Sequence, residues 1–348
     1  MPMKFLLLIT VSFFLIGLTS DTSAQVGDSL RLGHFQKSKT ITLSDPNGRL
    51  SDELLIAQIK SLDVDSDGRL LVTDLLGSQA FLFDPDGTLL ASLDPSYCHP
   101  GFEVRPVNAV FVGDQSIFLA NAGPWGYRFT SEGECLGSVH SDYTLTMAGF
   151  LDVSNQGTLV GYYTHKTTSS VRLMTTEGET IREIDLPSSK FPNASDRINM
   201  GGIVADQTHV FVARAVERDI LKIDFDGTIE SSFSHRTPWF QDIKEDIPAA
   251  NSTDMAALMR AAGKIFASTT LTSEIFELTD KIIMVQYRGP KDNGYQLFTK
   301  EGLLIAEQLG VKYDFDQGKH GLTYRITQLG DEIESINPVI EIYRFIEP

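Results

Sequence analysis

The densest group of potential ligands is Asp63-Val64-Asp65-Ser66-Asp67-Gly68, followed by Asp74. Carboxylates at positions 1, 3 and 5, Gly at 6 and a carboxylate at 12 follow the pattern of a calcium loop. The pattern fails on geometry if residues 69–74 are extended. At roughly 3.3 Å per residue, Asp74 then lies on the order of 20 Å from the Asp67 turn, too far to close a twelve-residue cage. An Asp-rich hairpin turn accounts for the segment better. Four of the seven histidines, His99, His140, His165 and His235, fall in or beside long connections without His-x-His or His-Glu-x-x-His spacing, so surface histidines are expected rather than a zinc site. No Gly-x-Ser-x-Gly elbow, P-loop or dinucleotide-binding glycine fingerprint occurs, which removes the recognised routes to a motif-borne nucleophile or nucleotide. The aromatic residues Trp125, Tyr127, Tyr143, Tyr163, Trp239 and Phe240 could stack on a sugar or grip a peptide, and they could equally pack loops against a scaffold.

The elements that must position these groups are read from a repeat. An alternating strand, an acidic or polar residue with Gly, and a second alternating strand recur around Gly87, Gly133, Gly178, Gly227 and Gly302. The first three spacings are 46, 45 and 49 residues. About 20 residues before each of the first four lies another turn, at Asp67-Gly68, Gly113-Asp114, Gln156-Gly157 and Asp206-Gln207. Such turns supply the positive φ of tight hairpins. Two hairpins per period of about 45 residues make a four-stranded unit, the signature of a β-propeller blade. Four blades are legible at 59–94, 107–140, 149–186 and 201–234. A fifth is expected at 260–287, with turns near Gly263 and Asp280. Residues 295–345 then close the ring with an N-terminal strand at 39–43. The expectation is an all-β, six-bladed propeller with a short helical insertion near residues 240–260. Reading 275–308 as a blade instead pushes the count towards seven.

With strands lettered A to D from the channel outward, the A–B and C–D hairpins share one face of the disc. The B–C loops and D–A crossovers share the other. The hairpin face carries tight turns, whereas the opposite face carries every long connection, including 94–106, 140–148, 185–200 and the insertion at 234–260. Binding residues concentrate on loops held by a rigid scaffold, so the long-loop face is the expected site, with Asn121, Trp125, Tyr127, Tyr143, Tyr163 and Trp239 as its ligand-binding candidates. Cys98 sits in a D–A crossover and Cys135 just past a C–D turn. Placed at opposite ends of a strand, they exceed the Cα separation of about 7 Å that a disulfide tolerates, and two free thiols are expected.

Residues 59–93, through Ile-Lys-Ser-Leu-Asp-Val-Asp-Ser-Asp-Gly-Arg-Leu-Leu-Val-Thr-Asp and Phe-Leu-Phe-Asp-Pro-Asp-Gly-Thr-Leu, closely resemble an NHL-type repeat. The C-terminal Asn337-Pro-Val-Ile-Glu-Ile-Tyr-Arg-Phe345 is similar to the closing strand of bacterial six-bladed propellers of that superfamily. The resemblance covers most of the chain and implies a scaffold rather than a chemistry. Related propellers include lactonase-like enzymes that hold a divalent metal in the channel with Asn, Asp and Glu from inner strands. The matching places here offer Asn108, Asn199, Asp74 and Asn121, with Asn108, Asn199 and Asp74 as the metal candidates and calcium as the ion. Lys60 and Gly149 interrupt that ring, and no Glu is clearly placed in it. Channel polar groups bridged by water are the plainer expectation.

Lys4 and the apolar run at 5–18 precede a polar stretch ending in Thr22-Ser-Ala24. This is the layout of a signal peptide cleaved after Ala24 and is too short for a membrane span. Residues 25–348 then form one propeller domain. A net charge of −17 argues against nucleic acid and anionic membrane surfaces. Asn193-Ala-Ser and Asn251-Ser-Thr fit a glycosylation pattern that matters only in a eukaryotic host. The expected protein is an exported, monomeric, non-catalytic binding propeller for a peptide, glycan or partner protein, periplasmic or extracellular. A channel-metal hydrolase or lyase of the lactonase-like type is the alternative.

Overall fold

Short apolar runs separated by turn glycines cannot bury both faces as lone hairpins, and stacking sheet upon sheet buries them. The computed structural model describes residues 34–346 except 47–55, 57–58, 102–104, 114–115, 141–147, 155, 166–167, 189–199, 243–262, 266 and 329–337. These lie in one compact unit, Arg31–Pro348. The signal-peptide segment, both glycosylation patterns, Tyr143, Asn199 and most of the expected insertion lie outside the described residues.

Strand β1 (His34–Thr42) leads into five consecutive four-stranded meanders. Blade 1 comprises β2 (Ile59–Val64), β3 (Leu70–Asp74), β4 (Gln79–Phe83) and β5 (Leu89–Leu93). Blade 2 comprises β6 (Pro106–Val112), β7 (Ser116–Asn121), β8 (Trp125–Thr130) and β9 (Cys135–His140). Blade 3 comprises β10 (Ala148–Val153), β11 (Leu159–His165), β12 (Thr168–Met174) and β13 (Thr180–Asp185). Blade 4 comprises β14 (Met200–Ala205), β15 (His209–Arg214), β16 (Ile220–Asp224) and β17 (Ile229–Phe233). Blade 5 comprises β18 (Leu271–Glu277), β19 (Ile282–Arg288), β20 (Asn293–Thr299) and β21 (Leu304–Val311). The sixth joins β22 (Gln317–Lys319), β23 (Leu322–Gln328) and β24 (Pro338–Ile346) to β1 in the order β1-β24-β23-β22. The first described strand is thus the outermost strand of the last blade, registered antiparallel from His34↔Ile346 to Thr42↔Val339.

The fold is a six-bladed β-propeller. Blade 5 corrects the sequence reading: it occupies 271–311 rather than 260–287, close to the frame that suggests seven blades. The count stays at six because Ser234 to Thr270 contributes no described strand. Its described residues 263–265 and 267–268 are helical.

Burial explains the sequence pattern. Every residue of β3 is buried, as expected for a strand covered on both faces by neighbouring blades, while β13 and β17 at the rim are mostly exposed. Six apolar clusters fill the six gaps between blades. The gap between blades 6 and 1, for example, holds Ile41, Tyr324, Ile340 and Ile342 against Leu62, Val72, Phe81 and Phe83. Each C–D turn leans on the outer strand of the preceding blade. A Cβ on Gly87 (φ 89°) would lie 2.4 Å from Ile41 Cγ2 and 2.6 Å from the Thr42 carbonyl oxygen, so this position requires glycine both for its φ and for space.

The same leaning corrects the expectation of free thiols. Cys98 and Cys135 form a disulfide, with Cα atoms 5.6 Å apart. The strand lettering holds, but a blade is not flat. A twist of roughly 20–25° per strand swings the outer strand away from the channel axis, so its exit approaches the next blade's C–D turn. A Cβ on Gly133 would meet Ala91 and Leu93 of β5, and the cysteines just beyond each of these points face one another across the gap between blades 1 and 2.

Candidate functional site

The innermost strands of the blades enclose an axial channel of about 520 Å³. It runs from Lys60 and Asp316 at the long-loop end to Ser66, Gly113 and His320 at the hairpin end. The A–B pairing shifts register one residue into strand A in blades 1 to 4 and two residues in for blade 5. A bulge of this kind re-aims the following side chain. The position just after it carries Ser61, Asn108, Phe150, Gly202 and Glu274, and two residues further come Asp63, Val110, Asp152, Val204 and Phe276. Acidic groups therefore come from blades 1, 3 and 5 at these positions, and Asp316 adds one beside blade 6.

The hairpin half of the channel is internally satisfied. Lys319 Nζ donates to Asp63 Oδ1 at 2.9 Å and Gln317 Nε2 donates to the same oxygen at 3.2 Å. Phe111 N donates to Asp63 Oδ2 at 2.9 Å, which ties blade 1 to blade 2. Asp152 plays the matching part between blades 3 and 4, accepting from Ala205 N at 2.8 Å. Burial pushes the Asp152 carboxyl up to about 6, against the pull of Lys319. The carboxylates of Asp63, Asp152 and Glu277 together hold the Lys319 ammonium above its ordinary value despite burial. Glu277 itself accepts from Lys300 Nζ at 2.5 Å.

The other half is not. Among the described residues Glu274 forms no ion pair, and its Oε2 is withdrawn from water without a hydrogen-bond partner. Burial first, and then the nearby Asp316, push its carboxyl up to about 8, with Lys60 and Arg288 pulling the other way and Asp314 adding to the rise. Asp316 accepts one bond, from Ile326 N at 2.6 Å, and has no basic partner among the described residues either. Water reaches it through the channel, yet the surrounding walls raise its carboxyl to about 6. Carboxyls that hold their protons near neutrality suit proton exchange or recognition of a charged ligand.

The sequence-derived candidates are dispersed. Asn108 lines the channel and donates from Nδ2 to the Leu151 carbonyl at 3.5 Å, bridging blades 2 and 3. Asp74 is buried off the channel wall, where Oδ1 accepts from Leu76 N at 3.1 Å in the B–C turn. Asn121 caps the chain entering blade 2, accepting from Arg105 N at 2.6 Å. Tyr127 is wholly buried between blades 1 and 2. Tyr163 lies under the Arg172 guanidinium and donates to Met174 Sδ at 3.4 Å. Trp125 is held edge-on between His99 and His140, with centroids 4.7 and 4.8 Å apart. Trp239 lies over Gly289 and Gly294, where a Cβ would strike its ring. Asp74, Asn121, Tyr127 and Tyr163 are buried, whereas Trp125 and Trp239 are half-buried against loops. Among the described residues, no three His, Cys, Asp or Glu side chains are placed to share a metal ion.

Glu274 and Asp316 escape the sequence reading because blade 5 is framed at 260–287 there, too early by about ten residues for its inner strand. A usable signal exists. The residue after the strand A bulge lies 25 to 28 residues before the C–D glycine in each of the first five blades, and counting back from Gly302 reaches Glu274.

The class defined by this fold and channel is the six-bladed β-propeller. No protein-family profile and no curated protein matches the chain, so the NHL-like character of the repeat rests on the sequence resemblance alone. Among solved structures, a member of the DUF4221 family from Bacteroides vulgatus aligns with a TM-score of 0.63 at 10% identity over 92% of this chain and 100% of the other. A Bacteroides fragilis protein described as exported aligns at 0.58 and 12% identity over 92% and 97%. A catalytically inactive variant of virginiamycin B lyase from Staphylococcus aureus, solved with quinupristin, aligns at 0.52 and 11% identity over 92% and 97%. At these identities the likeness is one of fold. No helix among the described residues is long and apolar enough to cross a membrane.

Proposed function

We propose that this chain is an exported binding propeller that takes its ligand in the axial channel, entered from the long-loop face. One observation carries the reading: a polar cavity of about 520 Å³ whose hairpin half is satisfied by its own side chains and whose long-loop half is not. The size suits a small molecule or the end of a peptide or glycan chain. Export follows from the signal-peptide layout at residues 1–24, and the Bacteroides fragilis neighbour described as exported agrees with it. The test is a melting-temperature screen of the purified protein against millimolar diamines, amino acids, mono- and disaccharides and dicarboxylates, run beside Ser61→Trp, which narrows the channel, and Tyr97→Ala on the rim. A stabilising compound whose effect disappears in Ser61→Trp and persists in Tyr97→Ala supports the channel. The reverse pattern moves the site to the long-loop rim, and the absence of any stabilising compound removes the small-ligand reading.

The second reading, a channel hydrolase or lyase, draws on Glu274 as a carboxyl that still carries its proton near pH 7. Among the described residues, Asn108 is the one proposed metal ligand that lines the channel. Calcium-dependent stabilisation that EDTA reverses and Asn108→Ala abolishes would favour it.

A further inference from the structure

The two halves of the channel treat their carboxylates differently. At the hairpin end three of the four channel acids meet a base supplied by the chain: Asp65 meets Arg69 at 2.5 Å, Asp63 meets Lys319 at 2.9 Å, and Glu277 meets Lys300 at 2.5 Å, while the fourth, Asp152, accepts from Ala205 N and feels the Lys319 charge without pairing with it. The ammonium of Lys319 is in effect a tethered ligand, reaching from blade 6 to a carboxylate of blade 1 with that of Asp152 close by. At the long-loop end the corresponding acids have no such partner among the described residues. Glu274 and Asp316 face the same cavity from blades 5 and 6 without an ion pair, and the Glu274 Oε2 lacks any described donor. Lys60, exposed at the mouth, acts on Glu274 only from a distance and forms no ion pair with it. The remaining charged groups felt by Glu274 are Arg288 and Asp314, which pair at 2.6 Å.

We infer that Glu274 and Asp316 form a receptor for an organic cation, a primary ammonium group carried by the ligand, which fills at the long-loop end the place that Lys319 fills at the hairpin end. This rests on the channel reading above and names its ligand class. An ammonium suits the site better than a metal ion does, because two carboxyls and the Asn108 amide oxygen on the same cavity wall are hydrogen-bond acceptors for its three N–H donors but too few oxygens for a calcium shell. The raised Glu274 carboxyl gives the event a signature. Near pH 7 it holds a proton, and an arriving cation expels it, so binding should release up to one proton at pH 7 and almost none at pH 9.5.

The probe is 1,4-diaminobutane, titrated calorimetrically into the full protein in buffers of different ionisation enthalpy, with 1,4-butanediol, succinate and calcium chloride as comparisons. The expected result is saturable diamine binding with proton release at pH 7 and tighter binding as pH rises through about 8. Glu274→Gln and Asp316→Asn should each weaken it about tenfold or more, with Glu301→Gln on the exposed hairpin rim as the unaffected control. Butanediol binding that survives Glu274→Gln but not Ser61→Trp would overturn the cation inference and leave the channel reading standing. Calcium binding with no diamine binding would overturn it in favour of a metal. If no compound binds in a Ser61→Trp-sensitive way, both readings fall. Glu274→Gln is nearly isosteric and removes an ionisable group from a desolvated position, so loss of folding is not expected to confound the result.

Discussion

Glu274 and Lys319 are two ionisable residues in one channel with opposite consequences for stability. Glu274 ionises in the unfolded chain near its ordinary 4.5 and in the folded protein at about 8. Asp152 and Asp316 follow the same direction, from 3.8 to about 6. Between these values the folded protein holds protons on these three groups that the unfolded chain has lost, so the stability they contribute is full below about pH 4 and declines as pH rises towards 8, whereas the carboxyls lowered on folding, such as Glu183 and Asp206, contribute in the opposite direction. Glu274→Gln removes the steepest part of that decline. Its melting temperature at pH 8.5 should exceed that of the parent by roughly 2–4 °C, and the two should converge at pH 5. A thermal melt series reads this directly, and parallel pH profiles would remove Glu274 as the cause. Lys319 acts the other way. Its replacement by Met leaves Asp63 buried opposite Asp152 with no base, at a cost of about 2–3 kcal/mol. Urea titration at pH 7 should show the loss, and Lys319→Arg should recover part of it. Equal stability of Lys319→Met and the parent would mean that the ammonium satisfies nothing essential.

At the scale of the element, the twist of each blade decides which chain segments meet. The outer strand of one blade ends beside the C–D turn of the next, and the Cys98–Cys135 bridge staples blades 1 and 2 at that meeting point. The bond closes a loop with a sequence separation of 37. In the chain-entropy account such a loop is worth about 3–4 kcal/mol. Cys98→Ser with Cys135→Ser should therefore lower the denaturant midpoint at an unchanged slope, while the free-thiol count of the parent rises only after reduction. Retained stability in the double variant would show that packing at the gap between blades 1 and 2 suffices. The strand A bulges are the second element-scale device. They turn Ser61, Asn108 and Glu274 to the channel, and in blade 4 the equivalent Gly202 (φ 134°) lets β14 approach β18 so closely that a Cβ would lie 2.9 Å from Ile275 N. Gly202→Ala combines strain with a backbone clash, and refolding yield should fall sharply.

At the scale of the whole molecule, closure depends on pairing the two ends of the chain. The nine residues of β1 cover the edge of β24 and contribute Phe35 and Ile41 to the apolar clusters on the two sides of blade 6. Deleting residues 34–42 uncovers a β-edge and opens both gaps. The expected outcome is loss of a single cooperative calorimetric transition together with aggregation. Restored cooperativity on adding the 34–42 peptide would confirm the pairing, and an unaltered transition would show that the ring holds without it. The six apolar gaps make the blades interdependent, so the channel geometry belongs to the closed ring rather than to any one blade.

Much of this is legible from residue order. The turn glycines at 87, 133, 178, 227 and 302 mark the C–D hairpins, the first four A–B turns fall where expected, and the end strands are recognisable as partners. Those features are local: an Asp-Gly turn or an apolar run reports on a few neighbouring residues. Blade 5 is misframed because the segment after Ser234 breaks the period, and with it Glu274 is lost from the channel. The disulfide is missed for a different reason, since twist accumulates over three strand pairings and has no signature in spacing. Asn121, Tyr127 and Tyr163 look like loop-face residues because position along a strand says nothing about which neighbouring blade covers the side chain. Residue order alone therefore determined the repeat, the blade architecture and the face on which each turn lies. The closed ring decided which acids share the channel and which of them the chain's own lysines neutralise. Burial and charge pairing there arise between residues as far apart as Asp63 and Lys319, brought within hydrogen-bond reach only when the last blade meets the first.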